Sequence, residues 1–142
     1  MTSESRFTIS LSLKSFNLSR FIIDGYENNA RINWDHLAES TELLVRFLDN
    51  VVTWNEDLNA LPKQRQAASE TRRLGLGVMG IADMLNQLGV AYDSEQGTMM
   101  IEKVMEYITN ASYQASSFIA KEKGASSISV SYTHLRAHET TN

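Results

Sequence analysis

Cysteine is absent from this chain of 142 residues, and that absence excludes several chemistries at once. Without a thiol there is no disulfide scaffold, no thiolate metal site, and no cysteine nucleophile or redox pair. Proline occurs once, at Pro62, where it opens a short helix. No apolar run is long enough to span a bilayer. Residues Met1 to Arg6 lack the basic start and apolar stretch of a secretory signal. The chain therefore reads as cytoplasmic, and the Asn-x-Ser triplets at Asn17 and Asn110 as chance matches, since glycosylation needs a secreted context. Positive charge is not in excess either. Thirteen basic against 17 acidic residues leave −4, so nothing draws the chain toward nucleic acid or an anionic membrane.

What is present suffices for a core: 42% of residues are apolar and 21% charged, in a length that fits one domain or a piece of a larger one. Phe7, Ile9, Leu11 and Leu13 alternate with polar residues, the period of a half-buried strand. Phe21-Ile22-Ile23 is a second short apolar stretch, ended by the turn signal Asp24-Gly25. Asn33 or Asp35 can cap a helix from Trp34 to Trp54. Its expected stripe is Leu37, Leu44, Phe47, Leu48 and Val51, with Glu42 and Arg46 paired one turn apart. A short helix is expected over Lys63 to Thr71, and an apolar run punctuated by glycine covers Leu74 to Gly80. A helix over Ile81 to Leu88 stops at Gly89. Asp93 and Gln96 have capping-box spacing and open a long helix to Lys123. That helix's expected stripe is Ile101, Val104, Ile108, Ala111, Ala115, Phe118 and Ile119, and Gly124 closes it. The fold class is mostly α with a few short strands. Those strands are too few to close a sheet of their own, which points to a fragment of something larger.

Several motifs suggest chemistry. Gly75-Leu76-Gly77-Val78-Met79-Gly80 is a literal G-x-G-x-x-G with Asp93 downstream, as in a dinucleotide-binding turn. That motif needs an apolar strand before its first glycine, and the polar Ser69 to Arg73 stands there instead. The other reading is a buried strand whose glycines admit a close neighbour. His134 and His138 are spaced like helical metal ligands but lack a third ligand and an intervening glutamate. His36 reads as a solvated residue at a helix start. Glu102 and Glu106 lack the Glu-x-x-His repeats of a carboxylate metal bundle and read as an exposed face. Lys63, Arg65, Arg72 and Arg73 have no interleaved aromatics for stacking on bases and read as a solvated basic face. Val130 to Thr140 resembles the conceptual translation of a transposon-end sequencing adapter, so residues 127–142 read as an artefactual tail without function.

Three blocks together carry a family resemblance: Phe16-Asn17-Leu18-Ser19-Arg20-Phe21, then Val45-Arg46-Phe47-Leu48-Asp49-Asn50-Val51-Val52, then Thr71 through Leu85 with its Gly-Leu-Gly-Val-Met-Gly core. In this order they resemble the catalytic subunit of ribonucleotide reductase, and Ala120 to Ala125 is similar to that family's "AKEKGAF" segment. The flavour is closest to the adenosylcobalamin-dependent class. The resemblance implies that residues 13–126 are part of a ten-stranded α/β barrel. It also implies a parent enzyme that replaces the ribose 2′-hydroxyl with hydrogen by thiyl-radical chemistry.

One redox cysteine of the family would fall at Leu11, where neither the leucine nor its neighbours Ser10 and Ser12 can form a disulfide. Two explanations compete: residues 1–12 are a foreign or strand-like lead-in, favoured because the other end also reads as an artefact, or this copy has lost the cysteine. No catalytic, cofactor-binding or metal-binding residue is expected in the chain. Adenosylcobalamin is expected only in the parent, and the partner is the rest of the barrel, with nucleotide substrate and effectors bound only by the full enzyme. The rival readings are a dinucleotide-binding fragment and a stand-alone helical interaction module. A strand over Leu74 to Val78 lying beside the N-terminal strand would count against the first. A core without an exposed apolar face would favour the second.

Overall fold

A computed structural model of the protein describes residues 12–58 and 60–126. The chain opens on strand β1 (Ser12–Asn17) and turns through a short 3₁₀ helix, Leu18–Phe21. Strands β2 (Ile22–Ile23) and β3 (Arg31–Ile32) form a small antiparallel pair. Helices α1 (Trp34–Leu58) and α2 (Pro62–Thr71) follow, then β4 (Leu74–Met79), α3 (Ile81–Gln87) and α4 (Glu95–Lys123). The described residues are therefore mostly helical with few short strands. The expected alternation before Leu11 lies outside them.

The central feature is the pairing of β1 with β4. It is parallel, with Ser12 opposite Leu74 and Asn17 opposite Met79. Parallel neighbours cannot be joined by a tight turn and need a long crossover, here built from α1 and α2. Leu74, Leu76 and Val78 point to the helices and pack on the core. The opposite face carries Gly75, Gly77 and Met79, and Met79 is exposed.

The larger core cluster gathers Phe16, Leu18, Phe21, Leu37, Met84, Leu85, Val104 and Ile108. Phe16 and Phe21 meet edge to face, with ring centroids 5.9 Å apart. A smaller cluster of Val45, Ala115 and Ile119 joins α1 to α4 over the start of β4. The α4 stripe holds at Val104, Ile108, Ala115 and Ile119, while Phe118 is half-exposed at its edge.

In α1 the buried line is Leu37, Thr41, Val45, Leu48 and Val52. The expected stripe had included Phe47, which stands exposed beside β1 with the Lys14 ammonium 5.7 Å from its ring centroid. The seam rotates because α4 packs on the Val45 side. Thr41 is tolerated there because its hydroxyl donates to the Leu37 carbonyl at 2.7 Å. Arg46 pairs across to Glu122 of α4 at 2.8 Å, in place of the expected pairing with Glu42 along its own helix.

The caps follow local chemistry. Asn33 Oδ1 accepts the His36 N–H at 3.1 Å and so caps α1. At α4 the cap is Ser94, not Asp93. Its Oγ accepts the Gly97 N–H at 3.0 Å and donates to the Ala91 carbonyl at 2.6 Å. A side chain at Gly97 would put a Cβ 2.6 Å from that same carbonyl, so serine at the cap and glycine three residues on are chosen together.

Candidate functional site

The densest polar constellation among the described residues lies where α1, α2 and α4 meet at the start of β4. Asp49 sits beside the buried seam of α1, its side chain only 8% exposed. Arg72, the residue that ends α2, reaches it twice: Nε and Nη2 both donate to Asp49 Oδ1, at 3.0 and 2.7 Å. Nη2 also donates to the Asp49 carbonyl and to Thr53 Oγ1, and Nη1 to Glu56 Oε1 at 3.2 Å. From α4, Lys123 Nζ donates to Asp49 Oδ2 and to Asn50 Oδ1, both at 2.7 Å.

Two cations face two carboxylates, so the cluster is balanced. Burial alone would raise the Asp49 pKa. Hydrogen bonds from Lys123 and Arg72, with their positive charges, outweigh that and hold the carboxyl below its ordinary value. A carboxylate so held, with both oxygens occupied, is a poor general base at neutral pH. It works as a fastener. Arg72 takes a left-handed backbone, φ 44°, to turn from α2 into β4, a conformation that costs a non-glycine residue about 1 kcal/mol. Its five guanidinium contacts offset that cost.

The solvated reading of Arg72 is thus corrected: it is the hub of the cluster, whereas Lys63, Arg65 and Arg73 are exposed. Asp49, Thr53, Glu56 and Lys123 were not singled out from the sequence. The available signal was a carboxylate directly after Leu48 in the apolar seam of α1.

The glycine motif resolves into two separate functions. Gly75 and Gly77 lie within β4, and a Cβ at Gly77 would come 3.0 Å from Ser15 Oγ on the neighbouring strand. The tight strand-to-helix turn that a pyrophosphate needs is therefore not at the first two glycines. Only Gly80, at φ 72°, precedes a helix, and α3 spans only seven residues. A Cβ on Gly80 would strike Asn17 Oδ1, which accepts from the Ser19 N–H and hydroxyl at 3.2 and 2.8 Å. Asp93 lies in the turn before α4, with no strand leading into it. The dinucleotide-binding reading fails on this geometry.

His36 is exposed at the start of α1, its ring tilted against Phe21 at 5.1 Å. Glu102 and Glu106 are exposed on α4. Among the described residues no three His, Asp or Glu side chains gather as a metal site. Leu11, His134 and His138 lie outside the described residues.

Comparison with known proteins gives a consistent result. The family model described as "ribonucleotide reductase, barrel domain" matches residues 2–139. The chain is 40% identical over 116 residues to the vitamin B12-dependent ribonucleoside-diphosphate reductase of Mycobacterium tuberculosis (strain CDC 1551 / Oshkosh), covering 82% of this chain and 16% of that protein. To the protein of the same name from Thermoplasma acidophilum it is 39% identical over 117 residues, 81% of this chain and 14% of the relative. To the ribonucleoside-diphosphate reductase subunit alpha of Chlamydia pneumoniae it is 36% identical over 115 residues, 80% of this chain and 10% of the relative. The chain thus spans a sixth or less of the length of these three relatives.

Proposed function

The chain belongs to the ribonucleotide reductase family, within its barrel domain, and we propose that it is a scaffold segment of an adenosylcobalamin-dependent member. The parent would reduce ribonucleotides to deoxyribonucleotides by thiyl-radical chemistry for DNA synthesis. These residues would supply none of the reacting groups. The single observation that carries the reading is the parallel β1–β4 pair joined through α1 and α2, the unit from which α/β barrels are built.

A thiyl radical and a reducing dithiol both require sulfhydryls, and the chain contains none. Methionine cannot substitute, because a thioether has no S–H hydrogen to lose and cannot close a disulfide. The residues do not fit adenosylcobalamin either. Among the described residues no buried side-chain polar atom lacks a partner that a cofactor would satisfy, and the carboxylate cluster is already filled by its own cations. The cofactor that drives radical chemistry in such enzymes is assigned to the intact protein, outside these residues.

We place the segment at residues 13–126, with 1–12 and 127–142 outside it. The family match extends past both boundaries, so a deletion experiment must decide them.

A transplant tests the function. Residues Phe16 to Ala125 replace the matching segment of an active cobalamin-dependent reductase that keeps its own cysteines. The chimaera is expected to fold and turn over ribonucleotide, while the chain alone, and its Leu11→Cys variant, reduce none. A soluble chimaera that binds effector nucleotide yet shows no turnover would mean that the segment carries chemistry.

A further inference from the structure

Asp24-Gly25 opens the loop between β2 and β3, and that loop is held from two sides. Asp24 Oδ2 accepts from Asn29 Nδ2 at 2.8 Å and from Arg31 Nη1 at 3.1 Å. On the other side the Tyr26 N–H donates to the Gln87 carbonyl at 2.8 Å, satisfying an acceptor that the end of α3 leaves open. Gly25 lies close against the same residue, since a Cβ there would come 2.7 Å from Gln87 Oε1. Asp24 and Tyr26 both carry left-handed backbone, φ 54° and 70°, a conformation costly to residues with side chains. The loop is a strained turn clasped to α3.

An aspartyl–glycyl bond can rearrange without an enzyme. The backbone nitrogen after the aspartate attacks the side-chain carboxyl carbon. The N–Cγ bond forms, and the protonated carboxyl loses its hydroxyl together with the amide proton as water. The resulting succinimide takes up water at the former backbone carbonyl, where the old peptide bond breaks. The main chain then runs through the side chain as isoaspartate, and the backbone carboxyl is left free. Water is lost and regained, and nothing is oxidised or reduced. Glycine favours the attack because it has no Cβ to shield the nitrogen and its backbone turns freely.

Six aspartates occur in the chain, Asp24 alone precedes glycine, and no asparagine does. Asp35, Asp49, Asp57 and Asp83 lie in α1 and α3, where helix bonds or the Asn33 cap engage the next amide. After Asp93 the Ser94 N–H donates to the Ala91 carbonyl at 3.2 Å. Among the described residues the Gly25 N–H makes no such bond. The nucleophile is free, and only the carboxylate is restrained. That restraint is weak: the Arg31 and Asp24 side chains are 59% and 38% exposed, and exposed ion pairs contribute little.

We propose that Asp24–Gly25 is a site of spontaneous isoaspartate formation, paced by the Arg31 and Asn29 contacts that pin the Asp24 carboxylate, and that its conversion undocks the loop from α3. Isoaspartate lengthens the main chain by a methylene at the turn. The Gly25 contact with Gln87 and the Tyr26 bond to the Gln87 carbonyl then cannot both be kept, because each depends on the tight left-handed path through Asp24 and Tyr26. The same change moves the carboxylate off its side chain, away from Arg31 and Asn29. The site draws on no property of the parent enzyme, so it stands or falls separately from the family reading.

The test ages the full 142-residue chain at neutral pH and physiological temperature, with isoaspartate located by peptide mapping after labelling with an isoaspartyl methyltransferase. Isoaspartate should collect at Asp24 before any other residue, and more slowly than in a synthetic peptide of residues 20–31, which has no α3 to dock on. Arg31→Ala and Asn29→Ala, both changes at exposed side chains, should each raise the rate about two- to fivefold, the scale of a weak surface contact. Far-UV circular dichroism of each variant should match that of the unaltered chain. Earlier conversion at another residue, a folded rate equal to that of the peptide, or no acceleration in either variant would overturn the proposal. Hydrogen exchange on the converted fraction reads the undocking. The Tyr26 amide should lose its protection there, and a Tyr26 amide still protected beside isoaspartate would overturn that half.

Discussion

At the scale of single residues, Asp49 has the sharpest consequences. Its carboxyl is held below the ordinary range, so its pairing stabilises the fold above the unfolded-state pKa of about 4. That contribution fades as pH falls through the lower folded value. Asp49→Asn should therefore lose stability near neutrality and flatten the acid limb of a urea-denaturation series run from pH 7 to pH 3. Asp49→Ala should cost about 1.5–3 kcal/mol, the range for hydrogen bonds to charged groups. The part-exposed Arg72 and Lys123 can regain water, which keeps the loss below that of a fully buried pair. Gly80 gives a second test. Gly80→Ala should lose about 1–2 kcal/mol from its left-handed backbone alone, and more from the clash with Asn17 Oδ1. Combined with Asn17→Ala, the loss measured by thermal melting should fall short of the sum, because the second change removes the atom that is struck.

At the scale of elements, the ends of the helices were easier to place than their faces. Asn33, Pro62, Gly89 and Gly124 mark boundaries through chemistry local to a few residues, and the structure uses each one. Two ends differ: α1, expected to stop at Trp54, runs on to Leu58, and the start of α4 moves by one residue, which is testable. Ser94→Ala should cost about 1 kcal/mol by loss of the cap, whereas Asp93→Ala should leave the melting temperature unchanged. Equal losses would return the cap to Asp93. Faces depend on partners. The seam of α1 follows Val45 and Val52 rather than Phe47 because α4 lies on that side, and Arg46 leaves its own helix to reach Glu122. Neither partner is adjacent in sequence.

At the scale of the whole molecule, exposed apolar groups decide between a self-sufficient module and a segment. Leu43, Trp54, Leu58, Tyr113 and Met99 are each more than half exposed, and among the described residues β4 pairs with β1 alone. Isolated chains should associate as concentration rises, through faces that a barrel would cover. A sharp monomer peak by light scattering at high concentration would favour a stand-alone module instead. Removing residues 129–142 should leave thermal stability unchanged in dilute solution. A loss of several degrees, on the order of 1 kcal/mol, would place those residues within the fold.

Sequence alone determined what rests on composition and local pattern. The missing cysteines, the helix ends, the hydrophobic periods of α1 and α4, and the ordered blocks that carry the family resemblance need only neighbours along the chain. It left two meanings open for the glycine run, because a strand and a phosphate-binding turn can share the same six letters. The tertiary structure decided between them by laying Gly75 and Gly77 beside β1, where the close approach of Ser15 favours glycine at position 77. It alone revealed the Asp49–Arg72–Lys123 fastener. Those residues lie 23 and 74 positions apart from Asp49, and a charge becomes a hub only when folding withdraws it from water and supplies its partners from distant helices.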